Sequence, residues 1–176
     1  MNEIATLAGG CFWCTEAIYK RLKGVKSVTP GYAGGTAVNP SYQEVSEGTT
    51  GHAESIRIEF DSKIISYDKI LEIYWRTHDP TTMNRQGNDT GPQYRSEVFF
   101  HNKVQEKIAR NIKEKLERDK VFKNPIVTKI VPFTNFYPAE DYHKNYYDNN
   151  RSNPYCTIVI DPKIKKLLQE FPEEVS

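Results

Sequence analysis

Short apolar runs alternate along the chain with polar, glycine-bearing stretches, and their spacing predicts most of its elements. Ile4 to Leu7 is a compact apolar run that reads as a strand and leads into Gly9-Gly10. From Phe12 to Leu22 the apolar positions 12, 17, 18, 19 and 22 follow a helical period. "VKSVTPGY" reads as a strand broken by Pro30 and Gly31, and "ESIRIEF" alternates Ile56, Ile58 and Phe60 as a half-buried strand does. "SYDKILEIYWRTH" predicts a helix capped by Ser66, with Ile70, Leu71, Tyr74 and Trp75 on its apolar face. A strand is expected around "SEVFF". It is followed by an amphipathic helix with Val104, Ile108, Ile112 and Leu116 spaced four apart. "PIVTKIV" reads as a strand, "AEDYHKNYYDNN" as helical and "YCTIVI" as strand or extended chain. Asp161-Pro162 then predicts the opening of a last helix, Asp as cap and Pro as first helical residue.

Strands and helices alternate without the uniform pattern of a parallel sheet. The predicted class is therefore α+β, with helices packed on a mixed β-sheet as a two-layer sandwich. Neither a linker nor a repeat divides the chain, so residues 1–176 read as a single catalytic domain. Its core covers about residues 3–138, and a coil-rich C-terminal segment, about 139–176, wraps back toward the active site. Two polar loops, residues 33–53 and 79–94, exceed the length of about 15 residues beyond which loops are usually functional.

Composition narrows the classes. With 24 Lys plus Arg against 23 Asp plus Glu, the net charge is +1, which gives no electrostatic reason to expect nucleic acid or an anionic membrane. No apolar run is long enough to span a bilayer, and the first ten residues lack the basic and apolar regions of a signal peptide. Three cysteines, Cys11, Cys14 and Cys156, are too few for a secreted disulfide scaffold. A cytoplasmic, monomeric protein is the expectation.

The chemistry concentrates at "GGCFWCTEA". Cys11 sits at a strand-to-helix turn, where unpaired N–H groups and the helix dipole favour a thiolate, and its pKa is expected to fall below about 8.5. Zinc would want four ligands, and His52, His78, His101 and His143 show no close pairing, so no metal is expected. A redox disulfide between Cys11 and Cys14 is sterically open, because residues three apart share a helix face. A thioredoxin-like CxxC oxidoreductase is thus the alternative reading. Against it, Phe12 and Trp13 place an apolar wall beside the sulfur, which suits a small apolar group such as a methyl.

These residues resemble a known family. "GCFWCTEA", "GYAGG", "NPSYQEV", "TGHAE", "HDPTTMNRQGND" followed by "QYRS", and "YPAEDYH", in this order from about residue 5 to 160, are similar to peptide methionine sulfoxide reductase of the A type. The resemblance implies a ferredoxin-like core and reduction of methionine S-sulfoxide, free or in oxidised proteins. It implies Cys11 as nucleophile, Phe12 and Trp13 as holders of the substrate methyl, and Glu54 as acid. Tyr42 and Tyr94 would hold the sulfoxide oxygen, with Asp89 nearby. No bound cofactor is implied; the reductant would be a thioredoxin-like donor or another dithiol. Cys156 stands where the family keeps its first tail cysteine and is the expected resolving thiol. Cys14, at a position that is Gly in many members, is the alternative.

The residues agree independently. A sulfoxide needs a thiolate at sulfur, a proton for its oxygen, donors for the developing charge and an apolar slot for the methyl. Glu54 serves as acid only if burial beside aromatic rings keeps it protonated.

Overall fold

Strand alternation builds the platform, and helix periodicity covers it. The computed structural model describes residues 1–176. In chain order come β1 (Asn2–Ala8), α1 (Phe12–Tyr19), β2 (Val25–Ala33), α2 (Tyr42–Ser46), β3 (Ala53–Asp61) and α3 (Tyr67–Thr77). There follow the hairpin β4 (Arg85–Gln86) and β5 (Asp89–Thr90), then β6 (Glu97–Phe100), α4 (Lys103–Arg118), β7 (Lys129–Pro132) and β8 (Phe136–Pro138). The chain ends in α5 (Tyr146–Asn149) and α6 (Asp161–Glu170).

Six strands form one sheet in the order β7-β6-β1-β3-β2-β8. β6 and β7 run parallel and the other neighbours antiparallel, so the sheet is mixed. Within it the β1-α1-β2-β3-α3-β6 unit gives the strand order β6-β1-β3-β2, the split βαβ arrangement of a ferredoxin-like fold. Leu7 faces Ile56 and Ala5 faces Ile58 across the β1–β3 ladder, all fully buried under the helices. Glu54 is the next position on that apolar face of β3, two residues before Ile56. The sheet thus carries a carboxyl group into its core.

Several elements depart from the sequence reading. Pro30 does not break β2. Its carbonyl accepts from Ala139 N–H on the β8 side, so its missing N–H faces that side too and the β2–β3 ladder loses nothing. On α4, Val104 is exposed; Gln105 is buried instead, its side chain bonded to Ile4 O and His101 N. Residues 139–150 form a short 3₁₀ turn and α5, separated at Asn145, whose φ of 54° is left-handed. The first long loop contains α2, held by a capping box between Ser41 and Glu44.

The largest departure is "YCTIVI", which is helical rather than extended. Asn153 opens the turn by accepting from Tyr155 N–H through its side chain and from Thr157 N–H through its carbonyl. Cys156, Ile160, Ile164 and Leu167 then form one buried stripe. Burying an aliphatic side chain is worth about 1.5–3 kcal/mol, which outweighs β-propensity differences of about 1 kcal/mol. Asp161 is accordingly not a cap but a helical residue, and it accepts from the Tyr147 hydroxyl. Pro162 cannot return an N–H to Ile158, and the turn before it widens into a π-helix over Cys156–Ile160.

Candidate active site

The site forms where β1 meets α1. Gly10 makes the turn at φ +82°, and a Cβ there would lie 2.6 Å from Gln86 Cγ, so both conformation and space call for glycine. Its N–H donates to Tyr94 O at 3.3 Å, tying the turn to the second long loop. Cys11 follows as the N-cap of α1, as expected, but its side chain makes no cap bond. The cap comes from another strand: Glu54 Oε1 accepts from Phe12 N–H at 3.1 Å.

Glu54 is 1% exposed. Burial pushes its pKa up to about 8; the Phe12 N–H opposes this, and the charges of Asp89 and Cys14 add to it. At neutral pH it is a neutral acid. Tyr32 lies directly opposite on β2 and donates to Glu140 Oε1 at 2.8 Å, while Glu140 Oε2 accepts from Tyr42 N–H at 2.8 Å. Tyr42 is raised to about 12 and Tyr94 further, chiefly by burial and next by the Glu54 charge. Both hydroxyls therefore remain proton donors throughout the physiological range.

Phe12 is completely buried, its ring 5.7 Å from Tyr32, 6.4 Å from Tyr42 and 5.0 Å from His143. Trp13 is half-buried. It stacks on Tyr146 at 3.6 Å, meets Tyr155 edge-on, and donates its indole N–H to His143 Nδ1 at 3.0 Å. The last three partners all come from the C-terminal segment. Sequence reasoning gave none of Tyr32, Glu140, His143, Tyr146 and Tyr155 a role. Glu140 and His143 nonetheless lie within the "YPAEDYH" string, and Tyr32 within "GYAGG".

The thiols depart from expectation in one respect. The Trp13 N–H at the helix N-terminus lowers Cys11 but is outweighed: burial, the neighbouring Cys14 thiol and the Glu54 charge hold its pKa well above the usual thiol range. The acidic member of the pair is Cys14, at about 7. The neighbouring Cys11 thiol lowers it most, burial opposes this, and the Lys163 charge and Tyr155 hydroxyl lower it further. Tyr155 Oη lies 2.5 Å from Asp89 Oδ2 and 3.7 Å from Cys14 Sγ. Asp89 thus binds a side chain of the C-terminal segment. Cys156, next to Tyr155, is fully buried.

A thiol next to an acid that keeps its proton suits reduction of an acceptor whose oxygen must be protonated, and this makes the chain a thiol-dependent oxidoreductase. The sequence narrows the class. A family model described as peptide methionine sulfoxide reductase matches residues 3–175. Peptide methionine sulfoxide reductase MsrA of Saccharolobus solfataricus is 57% identical over 173 residues, covering 98% of this chain and 97% of that protein. The MsrA of Trichodesmium erythraeum is 48% identical over 176 residues, 100% of this chain and 99% of that protein. Among solved structures, reduced Mxr1 from Saccharomyces cerevisiae superposes with a TM-score of 0.82 at 37% identity, covering 88% of this chain and 89% of that one. Mxr1 in complex with Trx2 gives a TM-score of 0.58 at 28% identity, covering 82% of this chain and 84% of that one. This chain belongs to the peptide methionine sulfoxide reductase family.

Proposed function

We propose that the chain reduces methionine S-sulfoxide, free or in proteins, by a thiol-dependent reaction that leaves Cys11 as a sulfenic acid. In balance, a thiol and a sulfoxide give a thioether and a sulfenic acid; the thiol proton ends on the transferred oxygen. Cys11 attacks the substrate sulfur, Glu54 protonates the oxygen, and the Cys11 proton restores Glu54. Tyr42 and Tyr94 donate to the oxygen as it gains charge, with Asp89 at the edge of the site. Phe12 and Trp13 bound the slot for the methyl. No bound cofactor enters these steps, and the spent enzyme is restored by a thioredoxin-like donor or another dithiol.

The observation that carries this reading is the buried, neutral Glu54 held against the first N–H of α1. A CxxC oxidoreductase that only exchanges disulfides has no oxygen to protonate, whereas a sulfoxide oxygen requires a proton donor of this kind. A second thiol then closes a disulfide. Cys156, the expectation from the sequence, is fully buried in the C-terminal helical segment. Cys14 lies one turn along α1 from Cys11, its N–H donating to Cys11 O at 3.0 Å, which supports moving the assignment to Cys14.

The pH dependence tests the acid. The protonated form of Glu54 is present below about 8 and lost as pH rises through that value. The single-turnover rate of methionine release, followed by rapid quench, is therefore expected to fall above pH 8 by about tenfold per unit, as a one-proton acid requires. A rate that stays flat to pH 10 would remove Glu54 from the step.

A further inference from the structure

One buried carboxyl group has no part in the steps above. Glu16 is 3% exposed and sits one turn beyond Trp13 on α1, so the two residues are neighbours on the helix surface. Burial raises its pKa, and the Asn145 N–H and the Lys20 charge oppose the rise. A carboxyl group out of water is costly unless it is hydrogen-bonded. Here the bond reaches the C-terminal segment: Glu16 Oε2 accepts from Asn145 N–H at 3.1 Å.

Asn145 is where that segment turns. Its backbone is left-handed at φ 54° and ψ 31°, and it opens α5 without a cap bond from its own side chain. Lys20 and Arg21, at the end of α1, both pair with Asp148 of α5, at 2.7 and 2.6 Å. Those pairs are partly exposed and each is worth little. Glu16 is buried and bonds the backbone directly. A helix of four residues does not hold itself in water, so such bonds decide its direction. Its first residue is Tyr146, whose ring lies 3.6 Å from that of Trp13 and within 5° of parallel. One helix, α1, thus carries both the Trp13 ring and the acceptor that sets its stacking partner.

We propose that Glu16 is a positioning residue for substrate binding: by holding the Asn145 backbone it fixes the Tyr146 ring on Trp13, and so keeps Trp13 in the orientation that bounds the methyl slot. The proposal rests on the reading that Trp13 forms that slot. Without the acceptor, residue 145 is free to leave its left-handed conformation and the Trp13 ring loses its stacking partner. The sulfoxide then binds less tightly. Once bound it reacts as before, because Glu54 keeps its place on β3 and its bond to Phe12 N–H.

Methionine release in the first turnover, without reductant, is measured against the concentration of methionine S-sulfoxide. The curve gives a half-saturating concentration and a limiting rate. Glu16→Ala is expected to raise the former about five- to tenfold, the scale of one aromatic stacking contact, with the limiting rate within about twofold. Glu16→Leu, which fills the space without an acceptor, should do the same, so the test survives an unstable alanine variant. Glu16→Gln keeps an acceptor for Asn145 N–H and should restore the parental value. In a Tyr146→Ala background, Glu16→Ala should add less than about twofold, because the ring through which it acts is gone. An unchanged half-saturating concentration in folded Glu16→Ala or Glu16→Leu would overturn the proposal. So would a fall in the limiting rate alone, a glutamine variant as impaired as the alanine one, or a full Glu16 effect without Tyr146. No methionine release by the parent chain, or an unchanged half-saturating concentration in Trp13→Ala, would instead overturn the underlying reading and the proposal with it.

Discussion

Cys11→Ser is expected to release no methionine from the sulfoxide, even in a single turnover at high enzyme concentration. A serine hydroxyl cannot accept the oxygen as a stable sulfenic acid, so the step has no covalent product. Loss by about 10⁴-fold or more is the scale for removing a nucleophile around which the other groups act as a unit. The fold should tolerate the change. Cys11 makes no side-chain cap bond in α1, and serine is a favourable N-cap residue. Cys14→Ser, by contrast, keeps the first turnover, because Cys14 acts only after the oxygen has moved. Quantifying methionine per chain in both variants separates nucleophile from resolving thiol.

Glu54→Gln is expected to slow the same step by about 10²-fold or more, the usual contribution of a general acid. Glutamine keeps the acceptor for Phe12 N–H, so α1 retains its cap and the loss falls on proton transfer. The variant also has a stability signature of opposite sign. The folded pKa of about 8 exceeds the unfolded value of about 4.3, so the folded protein holds a proton that the unfolded chain releases. Stability contributed at this position therefore falls as pH rises from about 4.3 to 8, and levels off above. In Glu54→Gln that decline disappears, and the drop in Tm between pH 5 and pH 8 should be smaller than in the parent chain. A variant that turns over at the parental rate would place the proton elsewhere, with Tyr42 and Tyr94 the remaining donors.

Much of this was legible because period and burial agree. The alternation in β3 and the spacing in α3 mark faces that the structure buries. Glu54 was singled out from a motif, yet its environment was readable too: it continues the register of Ile56, Ile58 and Phe60 onto the apolar face of β3. The misread segments are those where distant contacts decide. "YCTIVI" has the composition of a strand, but Cys156, Ile160, Ile164 and Leu167 spell a helical stripe once the segment is read together with the residues after it. Pro30 looked like a strand break because its edge orientation depends on β8, three residues long and without an alternating pattern of its own. The relative acidity of the thiols was out of reach of local reasoning. The dipole argument sees Cys11 at a helix end; burial and the Glu54 charge arrive from the tertiary fold and, together with the neighbouring Cys14 thiol, outweigh it.

The same tertiary contacts explain why the C-terminal segment matters to the site. Trp13 is held by His143, Tyr146 and Tyr155, and the Tyr155 hydroxyl joins Asp89 to Cys14. Residues far apart in the sequence thus fix the rings and thiols that the CFWC motif supplies.

The central claim is that Cys11 takes the oxygen from methionine sulfoxide. The most direct test uses the Cys14→Ser/Cys156→Ser double variant, in which no thiol remains to resolve the intermediate. The variant is mixed with methionine S-sulfoxide and no reductant, trapped with dimedone and analysed by mass spectrometry together with released methionine. The account predicts one methionine per chain and a dimedone adduct on Cys11. Methionine release without an adduct on Cys11, or no release at all, would contradict it.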